Sequence, residues 1–341
     1  MTMNCSNPFG QRVLLGRYSC IMRILITGGF GFVGGRVAVY LAQAGHTIVL
    51  GSRKAIGSPS WLPQAEVMQT DWDDMRTLER SCKGVDVVIH AAGMNAKNCA
   101  SDPIAALAFN GVATARLVSA AIQAGVQRFI YLSTAHVYGS LLEGIISEED
   151  CPQNFHPYAT SHLAGEKVVL WAHQGGHLQG VVLRLSNLFG APVHKDVNCW
   201  MLLVNDLCKQ AVQTRRMVLH STGLQHRDFM SMTNFCSVID RFMSFSGDDS
   251  QLGIFNIGSG TSQAVLTISK FIQERCLAVL GFEPELHRKD ELEGDLPSPF
   301  NYQITRQNKL GVNFDLFNNE AEIDKILAYC QAIFEQSRIY S

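Results

Sequence analysis

The stretch Arg23-Ile-Leu-Ile-Thr-Gly-Gly-Phe-Gly-Phe-Val-Gly34 restricts what this chain can fold into more than any other. Its apolar run ends at Thr27, is too short for an isolated helix, and reads as a buried strand. Beyond it, Val33, Val37, Tyr40, Leu41 and Ala44 fall on one helical face that stops at Gly45. Strand, glycine turn and helix begin a dinucleotide-binding unit. Gly28 permits the tight turn, Gly31 lets backbone approach a pyrophosphate, and Gly34 lets the helix pack close to the strand. The pyrophosphate would sit on the helix N-terminus, where free N–H groups and the dipole favour an anion. Phe32 and Val33, in the first helical turn, join the glycines as candidate cofactor-binding residues.

The 341 residues allow one large domain or two ordinary ones, and 47% apolar with 17% charged residues support a sizeable core. The formal net charge is −2 with no long basic block, which argues against nucleic acid and membrane as partners. No apolar run is expected to reach the ~20 residues that span a bilayer. Ten cysteines lie between Cys5 and Cys330 without a C-x-x-C pair, a spacing that suits neither zinc nor a disulfide scaffold. They read as reduced thiols of a cytoplasmic protein, and no metal site is expected. Residues 1–21 read as a flexible extension, or as sequence ahead of a translation start at Met22. A transit peptide is the alternative, since the segment carries Arg12 and Arg17 and no acid.

Further strands are expected at His46–Leu50, Glu66–Gln69, Val85–His90, Arg128–Leu132 and Val181–Leu185. Between them lie a long helix from Asp102, with Pro103 at its first position, to Ala124, and another from Tyr158 to His173. Strands alternating with helices predict an α/β fold, a Rossmann-type doubly wound parallel sheet with the cofactor along one edge. Beyond Ser186 the rhythm changes. Helices are expected at Trp200–Val212, Val265–Leu280 and Glu320–Phe334, with one near Val238 capped by Asn234, and strands at Phe229–Met232 and Phe255–Gly258. The expected division is a Rossmann domain over 22–185, with 229–258 returning to it. A smaller interleaved C-terminal substrate lobe takes 186–228 and 259–341.

Three features fall at strand ends on the cofactor edge: Leu132-Ser-Thr-Ala-His-Val-Tyr-Gly139, Pro157-Tyr-Ala-Thr-Ser-His162 and Arg184-Leu-Ser-Asn187. With the glycine loop, they resemble the extended short-chain dehydrogenase/reductase family, and within it the NAD(P)-dependent sugar-nucleotide epimerases and dehydratases. The resemblance covers nearly the whole chain from Met22. It implies Tyr158 as catalytic acid/base and Thr134 as its hydroxyl partner. It also implies cofactor contacts from Leu132, Leu185, Asn110, the pair Asp71 and Trp72, and the segment Ala91, Ala92 and Gly93. The chemistry is hydride transfer between a secondary carbinol carbon and a nicotinamide, with a tyrosinate taking and returning the hydroxyl proton.

The departures are as informative. The family pattern is Tyr-x-x-x-Lys, whereas the fourth residue after Tyr158 is His162. One helical turn away, it still faces the side of Tyr158 and can bond the nicotinamide ribose, but it helps ionise the tyrosine only when protonated. Lys167 is out of register. Where dehydratases carry Asp-Glu after the catalytic Thr, this chain has Ala135 and His136. The family's distal arginine is absent around Glu291–Asp295, while Arg227 remains, with Asn187 beside it, as candidate diphosphate contacts. His136, Asn187 and Arg227 are therefore the candidate substrate-binding residues.

The reading is an NAD(P)-dependent oxidoreductase or epimerase acting at a secondary alcohol or ketone, with a nucleotide sugar as substrate. The alternatives are an NADPH-dependent ketone or aldehyde reductase on a non-nucleotide substrate, and a non-catalytic dinucleotide-sensing protein. At the end of the second strand, Gly51-Ser52-Arg53-Lys54 lacks the acid that binds an NAD ribose, and Arg53 suits a 2′-phosphate, so NADP is expected over NAD. The helices at Asp102 and Tyr158 carry more apolar surface than one sheet face needs. The family's dimers pack these two helices together, which implies a homodimer.

Overall fold

A computed structural model of the chain describes residues 21–245, 247–248, 251–290, 300–311 and 317–335. The expected N-terminal extension, apart from Ile21, and the Glu291–Asp295 segment lie outside the described residues. The strands are β1 Arg23–Thr27, β2 Thr47–Ser52, β3 Glu66–Gln69, β4 Val87–His90, β5 Arg128–Thr134, β6 Gly144–Ile146, β7 Gln179–Leu185 and β8 Asn187–Phe189. They continue with β9 Arg216–Val218, β10 His226–Ser231, β11 Ile254–Ile257, β12 Ser262–Ala264, β13 Glu285–His287 and β14 Phe300–Tyr302. Seven form one sheet in the order β11-β7-β5-β4-β1-β2-β3. The pairings of β1 with β2 and β4, of β2 with β3, and of β4 with β5 are all parallel. This is the doubly wound Rossmann-type sheet expected from the alternation of strands and helices. Ile24, Leu25, Ile26 and Val88 are wholly buried, as continuous apolar strands are when helices cover both faces. After β3 the chain returns to the far side of β1, so the switch point lies between β1 and β4.

The described chain divides into two compact units. The first holds the residues up to Leu132 with Ala164–Val182 and Ile239–Gly253. The second holds Ser133–Leu163, Leu183–Val238 and the residues from Ile254 onward. In the second, β8, β10 and β12 form a small sheet, and β9 with β13 and β6 with β14 form parallel pairs. One core of this unit gathers Phe189, Leu207, Met217, Phe229, Ile268, Ile272, Ile323 and Leu327. The strands β6, β8, β9, β12, β13 and β14 are three residues each, too short for a periodic pattern to show in sequence.

Several boundaries differ from expectation for local reasons. The helix expected at Trp200 starts at Leu203, because Leu202 is extended, and it ends where Arg215 turns left-handed at φ 55°. Strand β10 begins three residues earlier than expected, and Met232 opens the next helix, Met232–Met243. Asn234 is not the cap of that helix: its N–H donates to Ser231 Oγ at 3.3 Å, so Ser231 is the capping residue. The last long helix runs Phe317–Cys330, not from Glu320, and gives way to a π-helical segment at Gln331–Glu335. Asp102 does cap its helix, accepting from Ala105 N at 2.9 Å with Pro103 in the first position. That helix corrects the reading of the apolar runs. Helical residues Pro103–Gln123 are long and apolar enough, by length and composition, to cross a membrane, with half of the most apolar window buried in the fold. Its turn Leu107–Val112 is π-helical, a widening that often marks a functional position.

Helix Pro157–Gln174 carries Gly165 against Tyr131 and the helix at Asn110. A Cβ there would stand 2.6 Å from the Tyr131 hydroxyl and 2.8 Å from the Asn110 carbonyl oxygen. Gly165→Ala is therefore expected to destabilise by about 1–3 kcal/mol. Gly57→Ala, where nothing lies within 4 Å, should leave the thermal midpoint unchanged. Equal midpoints for the two variants in a melting experiment would refute the close packing.

Candidate functional site

In the first unit the glycine loop leaves β1 at the switch point. Gly28 has φ +69°, and a Cβ on it would meet the Ala91 and Ala92 backbone at 2.7 Å. A Cβ on Gly34 would collide with the Gly28 carbonyl. Gly31 N donates to Gly28 O at 2.8 Å and closes the turn, and Gly31 precedes helix Phe32–Gln43, in which Phe32 and Val33 are the first residues. The expected cofactor residues Gly28, Gly34, Ala91 and Ala92 are thus brought into contact, with Gly93 exposed beside them. Asn110 is buried in the π-helical turn, where its Oδ1 accepts from Met94 N at 2.8 Å. It thereby anchors the strand-end segment that contains Ala91–Gly93. The Asp71 carboxylate accepts from Asp73 N at 3.0 Å in a local turn, and the Trp72 ring packs against His90 and Phe109.

At the end of β2, Gly51 is close to Thr27 and Thr70, and a Cβ would stand 3.1 Å from Thr70 Cγ2. Ser52 is buried and its Oγ accepts from Lys54 N, while Arg53 is exposed. Sequence reasoning missed His90, whose Nδ1 lies 2.5 Å from Thr27 Oγ1 and whose Nε2 lies 3.0 Å from Thr114 Oγ1. This buried imidazole ties the end of β1 to the helix of Asn110, since Thr114 Oγ1 also donates to Asn110 O at 2.7 Å. A histidine closing an apolar strand was the available signal. Leu132 belongs to the first unit, at the point where β5 passes into the second.

In the second unit Thr134 ends β5, and its Oγ1 accepts from His136 N at 3.1 Å to begin a 3-10 turn over Ala135–Val137. A buried polar cluster holds that turn. Tyr138 and Tyr302 hydroxyls both donate to Asn256 Oδ1, at 2.7 and 3.1 Å, and the Arg184 guanidinium lies 4.7 Å over the Tyr138 ring. Tyr158 and His162 face each other on helix Pro157–Gln174 with ring centroids 4.7 Å apart, edge to face. His162 is 6% exposed, and burial pushes its imidazole down to about 4, so it is neutral at ordinary pH. Around His136 the crowding of protein atoms lowers the pKa, a hydrogen bond with the Gly139 backbone raises it, and Arg227 and His156 lower it further.

Arg227 lies on β10 with an exposed side chain whose pKa is lowered by partial desolvation. Its neighbour Asp228 is wholly buried, and accepts from Ser186 Oγ at 2.6 Å and from Ser259 N, Ser259 Oγ and Gly260 N at 2.9 Å each. Burial raises the Asp228 pKa, and these donors pull it down without cancelling the rise. Asn187 Nδ2 donates to Asp228 O at 2.9 Å, and β8 pairs with β10, so Asn187 and Arg227 do lie on neighbouring strands. Leu185 ends β7 two residues before Asn187. Among the described residues, no group of three or more His, Cys, Asp or Glu is placed to hold a metal ion.

Residues 24–258 match the profile of the NAD dependent epimerase/dehydratase family. The chain belongs to that family. Among its relatives, the dTDP-D-glucose 4,6-dehydratase of Bos taurus is 27% identical over 262 residues, 73% of this chain and 71% of that protein. The UDP-glucose 4-epimerase of Halalkalibacterium halodurans is 26% identical over 274 residues, 76% and 81% of the two chains. A solved structure of the UDP-glucuronic acid 4-epimerase of Bacillus cereus, in complex with UDP-glucuronic acid and NAD, superposes with a TM-score of 0.73 at 21% identity. The match covers 92% of this chain and all of that one. The protein is an NAD(P)-dependent enzyme of the short-chain dehydrogenase type.

The buried His162 makes a stability statement. Its folded-state pKa lies below the unfolded reference of 6.5, so between about 4 and 6.5 the unfolded chain binds more protons. The contribution, about 3 kcal/mol at most, is complete above 6.5 and is lost as pH falls toward 4. Denaturant midpoints should therefore fall between pH 7 and pH 5, and His162→Gln should flatten that slope. An unchanged slope in the variant would place the titrating group elsewhere.

Proposed function

We propose that the protein catalyses hydride transfer at a secondary alcohol or ketone of a nucleotide sugar, as an epimerase or oxidoreductase, with NADP as cofactor. Thr134 polarises the substrate oxygen, Tyr158 carries its proton, and His162 orients the ribose. Arg227, Asn187 and His136 hold the substrate. The observation that carries this reading is the gathering in one unit of Thr134, of the Tyr158–His162 ring pair, and of Arg227 and Asn187 on neighbouring strands. The relatives' names add support, since they act on dTDP- and UDP-linked sugars. Incubation with UDP- and dTDP-hexoses, read by product analysis and by cofactor reduction, tests it. No turnover and no binding of any nucleotide sugar would refute it.

The NADP preference rests on Gly51, whose close neighbours leave little room for an acidic side chain, and on the exposed Arg53 that follows. Fluorescence titration should give tighter binding of NADPH than of NADH. Arg53→Glu should weaken NADPH about tenfold or more, the worth of a charged hydrogen bond, with little effect on NADH. Equal or tighter binding of NADH by the wild type would overturn the preference.

One observation favours net ketone reduction. The neutral His162 supplies no cation beside Tyr158 to favour the tyrosinate that oxidation needs, whereas reduction uses the protonated phenol. Alcohol oxidation should be slow near neutral pH and rise toward alkaline pH, while reduction suffers less. Initial rates in both directions across pH decide this.

A cytoplasmic homodimer completes the proposal. The eight described cysteines are free thiols, seven of them buried. Of the residues expected to form the dimer face, Leu117, Val118, Ala121 and Val169 are instead core, whereas Ile104, Leu107, Ala108 and Trp171 are exposed. Light scattering at micromolar concentration should give twice the 37.6 kDa chain mass. A monomer mass would count against it.

A further inference from the structure

The helix that carries Tyr158 is capped by a histidine. Pro157 occupies its first position, so His156 is the N-cap residue. The His156 carbonyl accepts from Thr160 N at 3.0 Å, and its Nδ1 accepts from Tyr158 N at 3.1 Å. Such caps are ordinarily Ser, Thr, Asp or Asn, whose oxygens accept a hydrogen bond with or without ionisation nearby. An imidazole accepts only through the lone pair of an unprotonated nitrogen, so the cap requires Nδ1 bare and the hydrogen on Nε2.

A run of hydrogen bonds leads from this cap to the other reacting group. Asn154 Oδ1 accepts from His156 N at 2.9 Å, and Asn154 Nδ2 donates to His136 O at 2.7 Å. His136 N donates in turn to Thr134 Oγ1 at 3.1 Å. The titratable and charged groups that face this run are His136, on the turn after β5, which interacts electrostatically with His156, and Arg227 on β10, which interacts with His136. Each is a base or a cation.

We infer that His156 is a positioning residue whose imidazole Nδ1, by accepting the Tyr158 amide, holds the backbone of Tyr158 in register with Thr134, so that turnover depends on an acceptor at this cap. The inference rests on the proposed proton-transfer role of Tyr158.

The test measures kcat and KM at one fixed pH for the wild type, His156→Ser and His156→Ala. Serine restores an oxygen acceptor at the cap. His156→Ala should lower kcat severalfold with KM little changed, and His156→Ser should return kcat close to the wild-type value. Equal kcat in all three proteins, or a loss in His156→Ser as large as in His156→Ala, overturns the inference. A second readout needs no turnover: the Tyr158 amide resonance in nitrogen–proton NMR spectra should move in His156→Ala and return toward its wild-type position in His156→Ser. A Tyr158 amide unmoved by His156→Ala overturns the inference even if no substrate is found. A displaced amide with no turnover on any nucleotide sugar would instead fault the proposed function alone.

Discussion

Backbone-to-backbone contact at the switch point between β1 and β4 is the constraint on which the first unit depends. Gly28, Gly34 and Ala91 approach so closely that a single added carbon at either glycine meets main chain, which cannot move aside as a flexible side chain can. The contact sets where helix Phe32–Gln43 starts and leaves its first N–H groups at the strand end. Donors with no partner within a helix favour an anion at its start. His90 then carries the same register across the sheet, joining Thr27 on β1 to Thr114 on the neighbouring helix. The π-helical turn at Asn110 turns one amide back onto Met94, so the segment after β4 is held from both sides.

The second unit uses buried polar groups to a similar end. Asp228 spends its carboxylate on four donors from two loops, at the cost of a raised pKa, and so fixes the strand on which Arg227 is presented. Asn256 gathers the Tyr138 and Tyr302 hydroxyls on one oxygen, and its own N–H donates to Glu148 Oε1 at 3.2 Å. Such clusters are costly if any member is left unpaired, and rigid when all are satisfied. The 3-10 turn that begins at Thr134 draws its rigidity from this cluster.

The electrostatics around Tyr158 follow from one substitution. A lysine one turn on would supply a permanent cation. His162, neutral through burial, supplies an edge-on ring instead. The cationic character of this unit's candidate site then lies with Arg227, which suits holding an anionic substrate better than ionising a tyrosine.

The amino-acid sequence by itself determined the parallel sheet, the glycine turn, the long helix with its Asp102 cap, and the family, because each is written locally in period, glycine spacing or capping residue. It also showed, through Gly51 and His162, where the chain departs from the family pattern. Only the tertiary structure decided the rest. Six three-residue strands of the second unit exist because partners distant in sequence pair with them. Ser231, not Asn234, caps its helix because β10 runs on to that residue. The neutrality of His162 comes from its burial by neighbouring elements, and desolvation cannot be read from residue identity. His156 was within reach of the sequence, since a proline at the first helical position marks the residue before it as the cap. That its ring accepts the Tyr158 amide depends on how the loop at Asn154 folds back onto the turn after β5, a contact between segments eighteen residues apart.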